Sequence, residues 1–75
     1  MYTAKNHTDA VTLTDAPAVG VHRDGGTMVK ETTDGRFAVV GTKPAAGVLR
    51  LVKVFADKLH ARRYNFAIHG DKLGE

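Results

Sequence analysis

Residues 42–64 form the longest regular segment of the chain and limit its possible folds most strongly. At about 100° per residue, the apolar side chains between positions 44 and 61 fall in one arc that is roughly 160° wide. Lys53, Asp57 and other charged residues lie on the opposite side. Thr42 can cap a helix, and Pro44 suits its first turn because its missing N–H is not needed there. The pattern predicts an amphipathic helix over about residues 44–62.

A strand over residues 48–55 is the alternative interpretation of the same segment. This part is rich in β-branched residues, and Leu49 and Leu51 alternate with Arg50, although the alternation fails between Leu51 and Val52. A helix over residues 56–70 would then follow, giving three strands and a C-terminal helix. This layout, with the fragment ARRYN at residues 61–65, resembles the small DNA-binding domains of some integrases and AP2-type proteins. The spacing beyond Tyr64 departs from their pattern. The resemblance implies a DNA-binding role.

Several short alternating segments surround the central stretch. They predict strands over residues 11–14, 18–23, 27–32, 36–41 and 65–69, the last with Phe66 and Ile68 pointing inward. Asp34-Gly35 is typical of a hairpin turn, and Gly25-Gly26 suits a second turn rather than a phosphate loop. The predicted fold class is therefore α+β. An antiparallel β-meander of three to four strands packs against helix 44–62, and a short C-terminal strand at 65–69 completes it.

The length of 75 residues fits one domain. We expect a flexible N-terminal arm at 1–10, a single α+β domain at 11–70 and a polar tail at 71–75. The chain has no cysteine, so neither disulfides nor cysteine-bound zinc can stabilise it. It lacks a signal peptide and a long apolar run, which predicts a soluble, cytoplasmic protein without a membrane partner.

Positive charge is concentrated in the second half of the chain. Residues 1–42 carry four basic and five acidic side chains, whereas residues 43–75 carry seven basic and three acidic ones. The residues expected to contact a protein partner or a nucleic acid are Arg50, Lys53, Lys58, Arg62, Arg63 and Tyr64. The cations can neutralise phosphates and Tyr64 can stack on a base, while arginine and tyrosine are also common in protein interfaces.

The sequence shows no catalytic, metal-binding or cofactor-binding motif. The four histidines lack a local ligand spacing, and nothing positions His60, His69 and the nearby arginines as a small nuclease would require. We therefore expect no enzymatic activity, no cofactor, no metal and no small-molecule substrate.

The chain has more apolar side chains than one face of a small sheet can bury. Four of them are candidates for an apolar interface, namely Ala38, Val40, Leu51 and Val54. We expect a non-enzymatic module that binds a protein partner or a second copy of itself as a homo-oligomer. Small, motif-poor domains of this type look like phage or mobile-element products, which act as inhibitors or assembly components. The alternative is a small basic protein that binds DNA or RNA.

Overall fold

The computed structural model describes residues 3–6, 9–20, 26–44 and 46–73, with side chains up to residue 68. It contains five strands and one helix in this part of the chain. The elements are β1 (Thr3–Lys5), β2 (Ala10–Thr12), β3 (Thr27–Glu31), β4 (Phe37–Gly41), β5 (Val48–Phe55) and α1 (Lys58–Leu73).

The strands form one mixed sheet in the order β2-β1-β5-β4-β3. β1 runs parallel to β5, and the other neighbouring strands are antiparallel. The chain after β2 then hydrogen-bonds along β3. Val19 and Val29 exchange two backbone hydrogen bonds of 2.7 and 3.0 Å, and the Thr14 N–H donates to the Glu31 carbonyl at 2.9 Å. The two edges of the sheet are thereby joined, and the sheet curls into a partly closed barrel.

The described residues form two hydrophobic cores, one on each side of this curled sheet. The barrel interior is filled by Ala4, Val11, Leu13, Ala38, Val40, Leu49 and Leu51, with Met28 and Val54 packed against them. The second core lies between the outer face of the sheet and α1, and contains Val29, Val39 and Ala61 with Val19, Phe37, Val52, Phe55 and Ile68. β4 contributes to both cores because its side chains alternate between the two faces. β4 is therefore covered on both of its faces.

The helix predicted over residues 44–62 is wrong, because residues 48–55 form β5. Ala46 and Gly47 have φ angles of 54° and 78°, which a right-handed helix cannot contain. They turn the chain back so that β5 pairs antiparallel with β4. The alternative interpretation, in which a strand here precedes a C-terminal helix, describes this part of the protein.

A β-bulge explains why the alternation in β5 fails. Lys53 lies opposite Val39 and Leu51 lies opposite Val40, so Val52 is an extra residue without its own partner. Beyond the bulge, Val54 returns to the face occupied by Leu51. The adjacent apolar residues Leu51 and Val52, which break the alternation expected of a strand, therefore mark the position of the bulge.

The predictions for both ends of the domain also need correction. Residues 65–69 belong to α1 and not to a strand, and Phe66, expected to point inward, is 68% exposed. Thr3–Lys5, expected in a flexible arm, form β1, where Ala4 is fully buried. α1 continues to Leu73, into the predicted tail. Parts of the predicted arm 1–10, of the predicted strand 18–23 and of the predicted turn at Gly25-Gly26 lie outside the described residues.

Candidate binding surface

α1 begins with a side-chain cap. The Leu59 N–H donates to Asp57 Oδ1 at 2.7 Å, and the Ala61 N–H donates to the Asp57 carbonyl at 3.1 Å. An aspartate is favourable here because it satisfies a free N–H group and complements the positive end of the helix dipole. Asp57 Oδ2 also lies 3.2 Å from His60 Nδ1, with both side chains exposed. Both carboxylate oxygens of Asp57 therefore have partners in the first turn of α1.

The inner face of α1 fixes the helix against the sheet. Ala61 and Asn65 are buried, and Tyr64 and Ile68 are half-buried at the spacing of successive helical turns. The Thr27 hydroxyl donates to Asn65 Oδ1 at 2.6 Å, and Asn65 Nδ2 donates to the Gly20 carbonyl at 2.5 Å. Asn65 therefore connects the helix to β3 and to the segment that closes the barrel.

The opposite side of α1 combines large apolar side chains with arginines. Leu59 and Phe66 are 54% and 68% exposed, and they are the large hydrophobic residues with high exposure among the described residues. They lie seven residues apart, about two helical turns, and therefore share one face. Arg62 and Arg63 lie between them and are also exposed. We call these four residues the α1 outer surface.

This surface is positively charged. Over residues 58–68, α1 carries Lys58, Arg62 and Arg63 and no acidic residue. The nearest acid in the sequence is Asp57, which is occupied by the helix cap and by His60. The charges of the arginines are consequently available to a partner.

Lys53, Phe55 and Tyr64 form a separate cluster beside α1. The rings of Phe55 and Tyr64 lie 5.3 Å apart between centroids and are tilted by 53°. Lys53 Nζ lies 5.4 Å from the centroid of each ring. A cation at this distance is attracted by the negative faces of the rings. The cluster joins the end of β5 to the side of α1.

The structure brings only some of the predicted contact residues together. Arg50 and Lys53 lie on β5 and Lys58, Arg62 and Arg63 on α1, all exposed, whereas Tyr64 is half-buried. Lys53 and Tyr64 meet in the cluster just described. Lys58 and Arg62 are four residues apart and share one flank of α1, while the side chain of Tyr64 projects from the opposite flank at about 100° per residue. The six residues are not one continuous patch.

The four residues assigned to an apolar interface lie mostly inside the protein. Ala38 and Val40 are fully buried, Leu51 is 5% exposed, and Val54 is half-buried. They belong to the core of the barrel interior, which the sequence did not reveal. These residues do not form a continuous surface in the folded chain.

Leu59 and Phe66 were missed as surface residues, although a signal for them was present. Leu59 was assigned to the buried arc of a helix at 44–62, and Phe66 to a strand. On a helix over residues 56–70, Ala61, Asn65 and Ile68 share one face and Leu59 and Phe66 share the other. The alternative interpretation of the sequence, with a helix over residues 56–70, therefore already implied that Leu59 and Phe66 lie on the outer face.

Comparison with protein-family models, with curated proteins and with solved structures gave no match. Within residues 3–6, 9–20, 26–44 and 46–73, no group of three or more metal-binding side chains occurs. No helix in this part of the chain has the length and apolar content needed to cross a bilayer.

Proposed function

We propose that this protein is a non-enzymatic binding module that contacts a protein partner through the α1 outer surface. The observation that carries the proposal is the exposure of Leu59 and Phe66 on one face of a well-anchored helix, beside Arg62 and Arg63. Aromatic residues and arginines are enriched in the energetically important centres of interfaces. In this role the module would occlude or bridge its partner, as phage and mobile-element inhibitors and assembly components do.

The composition of the surface favours a different protein over a second copy. A symmetric contact between two α1 outer surfaces would place Arg62 and Arg63 against the same arginines of the other copy. Like charges brought together in this way are unfavourable. The expected homo-oligomer would thus need another surface, and a mass measurement by light scattering after size-exclusion chromatography tests for it.

Nucleic-acid binding is the second candidate function. The observation in its favour is the absence of acidic residues over 58–68, together with exposed Arg50 and Lys53 on the neighbouring strand. These cations can neutralise phosphates without reading a base sequence. This candidate predicts binding that weakens steeply as salt concentration rises.

Two matched variants separate the candidates. Leu59→Ser with Phe66→Ser removes the apolar contacts and keeps the charges, whereas Arg62→Gln with Arg63→Gln does the reverse. A protein partner captured by the wild type at moderate salt, after nuclease treatment, should be lost with the serine pair. Each buried contact side chain is worth about 1–2 kcal/mol, so affinity should fall roughly 30- to 800-fold for the two together.

Thr33→Ser is the control, because Thr33 is exposed in the turn between β3 and β4, away from α1 in the fold, and its replacement should not affect binding. Retention on single-stranded DNA, measured across a salt series, gives the other readout. If the serine pair leaves partner capture unchanged while the glutamine pair abolishes DNA retention, the protein-binding proposal is refuted and nucleic-acid binding is supported.

A further inference from the structure

A cleft opens at one end of the barrel, where the wall is incomplete. β1 pairs with β5 only over Val48, Leu49 and Arg50, although β5 continues to Phe55. Among the described residues, no strand pairs with residues 51–55 on the β1 side. We call this segment the β5 open edge.

The cleft beside this edge has a volume of about 370 Å³. Its walls include Val11, Leu51 and Val54 from the barrel core, and Asp9 and Arg36 at the rim. Arg36 is already paired with Asp34, with Nη2 and Oδ2 2.7 Å apart. The cleft thus combines an apolar floor with the backbone of a strand that has one free side.

A free strand edge presents backbone N–H and C=O groups that can pair with another extended chain. Lys53 lies in the middle of the β5 open edge and is exposed. It makes no ion pair with a carboxylate among the described residues, and its ammonium group lies over the rings of Phe55 and Tyr64. Lysine at an exposed edge discourages pairing with an identical strand, because the two charges would be close together.

We propose that the β5 open edge binds an extended peptide segment of a partner protein, with an acidic side chain beside Lys53 and apolar side chains over the cleft. Lys53 lies on the α1 side of the sheet, opposite Val39, whereas Leu51 and Val54 face the barrel interior. Side chains of an added strand alternate between the same two faces. The matching segment therefore has an acidic residue between two apolar ones.

This site is separate from the α1 outer surface, and its test does not depend on the function proposed above. The probes are two capped peptides, Thr-Val-Glu-Val-Thr and Thr-Val-Lys-Val-Thr, added to the ¹⁵N-labelled full chain. The glutamate peptide should shift the amide signals of residues 51–55 and bind roughly fivefold or more tightly than the lysine peptide, since opposite charges across a ladder attract. The amides of Leu59 and Phe66 should not shift.

Three further measurements make the result decisive. Lys53→Glu should reverse the preference between the peptides, and Lys53→Met should abolish the preference while the amide spectrum shows an intact fold. A glutamate peptide with N-methylated backbone amides should not bind, because it cannot donate to the edge. The proposal is overturned if neither peptide shifts residues 51–55, or if the N-methylated peptide binds equally well. It is also overturned if these signals depend on protein concentration without peptide, because a second copy would then occupy the edge.

Discussion

Asn65 offers the sharpest test of how the helix is anchored. Its side chain is 1% exposed, accepts from the Thr27 hydroxyl and donates to the Gly20 carbonyl. Asn65→Ala removes both bonds. Thr27 is only 4% exposed, and the loss of this acceptor for its hydroxyl costs about 1–3 kcal/mol. Gly20 is exposed, so its carbonyl can accept a hydrogen bond from water instead, and its loss costs about 0.5–1 kcal/mol. Alanine has a higher helix propensity than asparagine, which offsets about 0.5 kcal/mol of this loss. We expect a net destabilisation of about 2 kcal/mol.

Urea denaturation followed by circular dichroism measures this change. A loss of 2 kcal/mol should lower the midpoint of thermal unfolding by roughly 8–16 °C in a domain of this size. Arg63→Ala is the matched control, since this exposed residue lies on the same helix and its replacement should change the free energy of unfolding by at most about 0.5 kcal/mol.

A double-mutant cycle with Thr27→Val isolates the hydrogen bond itself. Because the two side chains are partners, their effects should fail to add by about 0.5–1.5 kcal/mol. The reasoning is refuted if Asn65→Ala behaves like Arg63→Ala, or if the effects of Asn65→Ala and Thr27→Val simply add.

Three other features give predictions for stability. Ala46→Gly should stabilise the protein by about 1 kcal/mol in urea denaturation, because alanine is strained at a φ of 54°, while Ala67→Gly in α1 should destabilise it by a similar amount. Hydrogen bonds from Arg36 and then Thr32 lower the pKa of Asp34 from 3.8 to about 2, so its carboxylate stabilises the fold above pH 3.8 and this contribution disappears as the pH falls through 2. Asp34→Asn should therefore flatten the acid side of a stability–pH curve, and an unchanged curve would contradict the pairing. Deletion of Val52 should preserve the fold at a cost of about 1–3 kcal/mol, because it removes the bulge without exchanging the faces of β5. Deletion of Leu49, which lies outside the bulge and in the barrel core, should disrupt the fold far more, as judged by the amide spectrum, because residues on one side of the gap would change faces.

The parts of the fold that were predictable are those with local signals. Strands near β3 and β4, and the turn at Asp34-Gly35 between them, follow from alternation and turn chemistry within about fifteen residues. β1 has only three residues, and its position depends on pairing with Val48 and its neighbours far along the chain, which no local pattern can indicate. The broad class, α+β, could therefore be predicted, while the mixed five-stranded sheet could not.

β5 shows why the central prediction failed. Its apolar residues serve both cores, so they fill a wide arc on a helical projection as well as both faces of a strand. The bulge at Val52 also interrupts the period-two pattern that distinguishes a strand. The error then determined the candidate site, because moving the helix from 44–62 to Lys58–Leu73 buried Leu51 and exposed Leu59.

The parallel pairing of β1 with β5 has a consequence for how the protein is made. β1 is synthesised before the other four strands. Its neighbours in the sheet are β2, which follows at once, and β5, which is the last of the five to be translated. In a nascent chain that ends before Arg50, β1 therefore pairs with β2 on one edge and still lacks β5 on its other edge. Because long-range pairing of this kind must close late, we expect the barrel to assemble only after β5 has emerged.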